Sequence, residues 1–213
     1  MKEEQILRSL SERYPPLLQI EDQIRAAYEL LKSSYEKKGK LLICGNGGSA
    51  ADSEHIVGEL MKGFLLKRRL EDKEREIFRE LGEDYFALSA KLQKALPAIS
   101  LAHQSALNTA YANDVSPDMV FGQQVYGYGE GGRDVLLAIS TSGSSVNVVN
   151  AVKVARTIQV ATLGLTGENG GDLKDLCDVC IRLPEKETCR VQEMTLPVYH
   201  ALCAMLEEYF FNL

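Results

Sequence analysis

His55 and Glu59 stand four residues apart in a run that reads as helix, so both side chains project from one face. An imidazole and a carboxylate placed in that way could move protons near neutral pH. They could also begin a metal site. The chain has three histidines, at 55, 103 and 200. His200 lies on the last helical run, with Gln192 two turns before it. His55, Glu59, Gln192 and His200 together would make an N/O donor set for zinc or another divalent ion. His200 could equally serve as a general acid or base. His103 follows a strand-like segment and is a candidate pocket lining.

Two further stretches suit an anion. Gly45-Asn46-Gly47-Gly48-Ser49 lies between an apolar run and the helix that carries His55. Its glycines let backbone approach a ligand closely, and Ser49 and the first free N–H groups of the helix would face it. Ser140-Thr141-Ser142-Gly143-Ser144-Ser145 offers five hydroxyls and backbone donors at another helix start. An ordinary helix cap needs only one or two of these. Together they could hold a phosphate dianion without a lysine. A phosphate cradle beside a His/Glu pair suggests chemistry on a phosphorylated small molecule.

The elements that position these residues alternate. Residues 3–38 read as helices broken at Tyr14-Pro15-Pro16, with an apolar stripe from Ile20 to Tyr35 that must bury against the domain or a neighbouring subunit. A strand at 40–44 and a helix from Ser49 to Phe64 follow. Residues 66–94 are dense in charge, interrupted by Gly82, and read as a helical insertion that covers a site or extends an interface. Strands are then expected at 96–101, 134–139, 159–165 and 178–183. Helices are expected at 104–111, 117–128, 146–156 and from Cys189 almost to the end, with Ala112-Asn113-Asp114-Val115 as a turn. Apolar strands alternating with helices predict a three-layer α/β domain with a five-stranded parallel sheet spanning residues 1–213. Ligands in such sheets sit beyond the C-terminal strand ends, so one pocket could collect the glycine turn, the serine loop and the Thr166-Gly167 turn.

Composition excludes several classes. With 24 Lys and Arg against 30 Asp and Glu, the net charge of −6 argues against a nucleic-acid surface. The basic cluster Lys67-Arg68-Arg69 is followed by acids and reads as a solvated helix face. No stretch has the uninterrupted apolar length of a membrane span, and the acidic, amphipathic N-terminus is unlike a signal peptide. Five scattered cysteines make no disulfide framework and fit a reduced, cytoplasmic chain. Cys177 and Cys180 have CxxC spacing but no second pair, and read as packing residues. The glycine turn also fits the loose dinucleotide pattern, yet the next strand comes far too late and lacks the required acid.

The run Ile43 to Ala50, His55 with Glu59, Ala112-Asn113-Asp114, Gly132 to Ser145, Leu165-Thr166-Gly167, Arg190 to Glu193 and His200 closely resemble the phosphoheptose isomerase branch of the sugar isomerase (SIS) superfamily. The resemblance covers nearly the whole chain apart from 66–94. It implies a flavodoxin-like SIS domain, assembled as a homotetramer with active sites at subunit interfaces. It implies isomerisation of sedoheptulose 7-phosphate to D-glycero-D-manno-heptopyranose 7-phosphate on the way to activated heptose for surface polysaccharide. It implies a zinc ion among His55, Glu59, Gln192 and His200, with Glu59 and His200 as the acid/base pair. It places the phosphate on Ser49, Ser140, Thr141, Ser142 and Ser145 beside the turn glycines Gly47 and Gly48, and the sugar near Asn46, Asn113 and Asp114. Cys189 stands where many members carry an acid, and Pro197 predicts a kink between Gln192 and His200. The rival readings are a non-catalytic SIS protein that binds a replication initiator, and an isomerase of another sugar phosphate. Glu59 and His200 both being present counts against the first.

Overall fold

Leu41–Gly45 (β1), Ala98–Ser100 (β2), Val135–Ile139 (β3), Ala161–Thr166 (β4) and Val179–Arg182 (β5) form one sheet in the computed structural model, which describes residues 2–212. The strand order is β2-β1-β3-β4-β5 and every pairing is parallel. Such a sheet must bury both faces, which is why β1 and β3 are buried at every position. The helices in chain order are α1 (Lys2–Arg13), α2 (Glu21–Glu36), α3 (Gly48–Met61), α4 (Asp72–Arg79), α5 (Glu83–Ser89), α6 (Ser105–Asp114), α7 (Val120–Tyr128), α8 (Val146–Thr157), α9 (Leu173–Leu176) and α10 (Thr188–Phe211). The Pro15–Ile20 and Pro117–Met119 segments are short 3₁₀ turns, as expected where proline opens a helix.

Side chains alternate along the strands between two cores. Leu41, Ile43, Leu137 and Leu163 join the stripes of α1, α2, α3 and α10, so the apolar face of 20–35 is covered by this domain itself. Leu42, Cys44, Leu136 and Ala138 join α7 and α8 on the opposite side. The three-layer α/β expectation holds. Boundaries move by a few residues: α3 ends at Met61 rather than Phe64, and β2 shrinks to three residues behind Pro97. Asn113 and Asp114 end α6 instead of forming a turn. α10 runs unbroken through Pro197 as one helix.

The basic cluster reads differently in the fold. Residues 67–69 are not helical, and Arg68 is 2% exposed. Its Nε donates to Glu207 at 2.6 Å, Nη1 to the Leu60 carbonyl at 2.6 Å and Nη2 to the Glu59 carbonyl at 3.0 Å. Glu207, also buried, accepts the backbone N–H groups of Phe64, Leu65 and Leu66. A local charge pattern could not reveal this, because the pairing partner is over a hundred residues away. Arg68 thus satisfies the open carbonyls at the end of α3 and anchors the segment that follows it. α4 and α5 are split at Gly82 as expected and pack on each other through Arg75 and Arg79 over Phe86.

Candidate active site

The glycine turn after β1 opens α3. Gly47 has φ 55° and ψ −119°, a backbone that favours glycine. Ser49, in the first turn, is buried. A Cβ at Gly48 would lie 2.6 Å from Gln192 Nε2, so the missing side chain is what lets the Gln192 amide rest on the helix start. Asn46 and Asn147 exchange two amide hydrogen bonds of 2.9 Å each, which tie this turn to the start of α8.

The serine loop follows β3. Ser140 Oγ lies 2.9 Å from Ser145 Oγ and 3.4 Å from Ser142 Oγ, and the Ser144 N–H donates to Ser142 Oγ. Ser145 precedes α8 but makes no side-chain cap bond. Its hydroxyl belongs to the cluster, which sets the loop apart from an ordinary cap. Gly143 has φ 71°, and a Cβ there would lie 2.1 Å from the Gly170 carbonyl. The Gly167 N–H donates to the Thr141 carbonyl, and the Leu173 N–H to that of Gly143. The three loops expected to share one pocket are therefore joined side by side at the C-terminal strand ends.

His55 and Glu59 meet His200 farther along α3. His55 Nε2 is 3.1 Å from Glu59 Oε1, and Lys62 Nζ donates to Glu59 Oε2 at 3.2 Å. The His55 and His200 rings pack edge to face at 5.0 Å. His200 Nε2 is buried with no hydrogen-bond partner. Burial, and then the nearby His55, hold the His200 imidazole below its ordinary pKa, with Glu59 opposing. The ring therefore stays neutral at physiological pH. The Tyr199 hydroxyl lies 2.9 Å from His55 Nδ1 and donates to Asp52 Oδ1 at 3.3 Å. Asp52 falls on the same helix face, one turn before His55, and that spacing is a signal the sequence did contain.

Not every expected residue joins. Gln192 sits at Gly48, seven residues of helix before His55, or about 10 Å at the rise of an α-helix. Asn113 and Asp114 are exposed and bond to each other. His103 is exposed and pairs with Glu54. Among the described residues, no three His, Cys, Asp or Glu side chains converge at metal-holding spacing. The donor chemistry still suits a divalent ion, because His200 Nε2 is an unpartnered buried nitrogen beside one imidazole and one carboxylate. Cys177 and Cys180 pack around Gly164, as expected for filling residues.

A doubly covered parallel sheet with a hydroxyl loop and a His/Glu/His group has the parts of an α/β enzyme acting on a phosphorylated small molecule. SIS domain models match residues 16–78, 75–167 and 131–207. The phosphoheptose isomerase of Rhodospirillum rubrum is 37% identical over 185 residues, covering 87% of this chain and 85% of that protein. Among solved structures, the phosphoheptose isomerase of Neisseria gonorrhoeae matches with a TM-score of 0.72 and 30% identity over 98% of this chain and all of that one. The phosphoheptose isomerase from Francisella tularensis gives 0.75 and 27%, covering 94% and 93%. The chain belongs to the SIS domain family, on its phosphoheptose isomerase branch, and is a sugar phosphate isomerase.

Proposed function

We propose that the protein converts sedoheptulose 7-phosphate into D-glycero-D-manno-heptopyranose 7-phosphate, supplying activated heptose for surface polysaccharide. The observation that carries this reading is the arrangement along α3, with a hydroxyl cradle at its start and Glu59 with His200 near its end. Ser49 and Glu59 are ten residues apart, about 15 Å of helix, and the Glu59 side chain leans back toward the cradle. That span favours a long, open-chain phosphate ester.

Ser49, Ser140, Thr141, Ser142 and Ser145 bind the phosphate end, and Asn46, Gly47, Gly48 and Gln192 line the path from it. Glu59 removes a proton from C1 of the ketose, giving an enediol. Neutral His200 shuttles a proton between the oxygens, and delivery of a proton to C2 completes the aldose. Zinc held by His55, Glu59 and His200 would polarise the carbonyl or fix the ligands in place, while Gln192, the fourth donor the resemblance implies, rests at Gly48 toward the phosphate end. Asn113 and Asp114 keep a sugar-contacting role only if a neighbouring copy presents them. The homotetramer accommodates that, and exposed Ile77, Leu81, Tyr85 and Leu88 on the insertion are what a second copy would cover. Five free cysteines support a cytoplasmic setting, and no helix among the described residues is long and apolar enough to cross a membrane.

The experiment is a coupled assay on five-, six- and seven-carbon ketose phosphates, with chelator and then added zinc. The proposal expects the highest kcat/KM on the seven-carbon ester, lost with chelator and restored by zinc. Preference for a shorter ester would overturn the substrate. Unchanged turnover after chelation would remove the metal.

A further inference from the structure

Asn147 stands outside the groups assigned above, yet its side-chain amide holds Asn46 and the first turn of α8 together. α8 begins at Val146, so Ser145 is the residue before it and Val148 is the third residue in. A serine in that place ordinarily accepts the N–H of the second or third helical residue. Here Asn147 Oδ1 accepts the Val148 N–H instead, at 3.0 Å. That leaves the Ser145 hydroxyl 2.9 Å from Ser140 Oγ, inside the hydroxyl cluster. The same bond fixes which way the Asn147 amide faces, because an N–H must meet its oxygen and not its NH2. Asn147 Nδ2 is thereby turned to Asn46 Oδ1. Asn46 Nδ2 returns to Asn147 Oδ1, and both bonds are 2.9 Å.

We propose that Asn147 is a positioning residue of the anion cradle. It takes over the capping of α8, which frees the Ser145 hydroxyl for the anion, and through Asn46 it ties the glycine turn to the serine loop. The starts of α3 and α8 both carry partial positive charge, and they repel each other when no anion lies between them. A carboxylate bridge would hold them together but would also repel a phosphate. The amide pair is uncharged, so it holds the two ends without cancelling the field that attracts a dianion. Asn46 is exposed and Asn147 half-buried, and neither belongs to the apolar cores. Removing the pair therefore disturbs the cradle while leaving the packing of the sheet intact. This inference deepens the proposed function and rests on its phosphate subsite, but its readout needs no turnover.

The test is calorimetric titration of the full chain with inorganic phosphate at constant ionic strength. The wild type is expected to bind, and Asn147→Ala to bind about 10-fold more weakly, the effect of roughly one net hydrogen bond. Asn147→Leu, which keeps the volume and loses the amide, should weaken binding alike, and thermal unfolding checks that both variants are folded. In a Ser145→Ala or an Asn46→Ala background, Asn147→Ala should weaken binding clearly less than it does alone, because one of its partners is already gone. Phosphate affinity unchanged in both Asn147 variants would overturn the proposal, as a merely structural tie would lower Tm alone. A full additive loss on top of each partner's removal would overturn it too. A wild type that binds no phosphate would overturn it together with the phosphate subsite. The expected series in a protein that does not isomerise the heptulose phosphate would sink the substrate reading and leave this one standing.

Discussion

Replacing Arg68 with methionine removes a buried cation whose three donors end on Glu207 and on the carbonyls of Leu60 and Glu59. Methionine fills much of the arginine stem, so the loss is chiefly electrostatic. Breaking a buried ion pair by removing one partner costs about 3–5 kcal/mol. Glu207 would keep its three backbone N–H donors, at 2.7 to 3.0 Å, which places the expected loss near the lower end, about 3 kcal/mol. For a chain of this size that corresponds to a fall of roughly 6–12 °C in Tm. Glu207→Gln should fall at least as far, because it strands the guanidinium and offers one good acceptor to three amides. The assay is thermal unfolding at fixed protein concentration, since assembly shifts Tm by mass action. A Tm change under about 2 °C for Arg68→Met would refute the claim that this pair closes α3 and anchors the segment after it.

Ser142→Ala should raise KM for the heptulose phosphate more than it lowers kcat, because its hydroxyl sits in the cradle and away from Glu59. Steady-state kinetics decide this, and an unchanged KM would take Ser142 out of the phosphate site. The depressed pKa of His200 also predicts a pH effect on stability. The unfolded chain binds the proton more readily, so stability from this residue is present above the ordinary value of 6.5 and is lost as pH falls below it toward the folded value. Denaturant midpoints measured across that window should fall less steeply in His200→Gln. A slope identical to wild type would remove the effect.

Local pattern carried most of the layers. Alternating strands and helices, the Gly82 break and the serine loop each declare themselves within a few residues, because turn chemistry and periodicity are local. The His55/Glu59 pair was legible for the same reason. The residues around it were less so. Tyr199 reads as core by its neighbours, and only the crossing of α10 over α3 gives its hydroxyl two partners. Arg68 sits in a run of charges, and its burial depends on Glu207, far along the chain. Gln192 was grouped with His200 because both lie on one helix, but two turns of rise separate them in space. The two N-terminal helices could have faced a neighbour or the domain, and the sheet settles that question by covering itself with them.

The central claim is that Glu59 carries a proton between C1 and C2 through an enediol, and proton NMR in deuterium oxide tests it directly. Wild-type enzyme acting on sedoheptulose 7-phosphate should yield an aldose whose C2 hydrogen is in part solvent deuterium, gained where the Glu59 carboxyl exchanges its proton before returning it, and Glu59→Gln should make almost no aldose while still binding the phosphate ester. Aldose formed by Glu59→Gln at an undiminished rate would contradict the account.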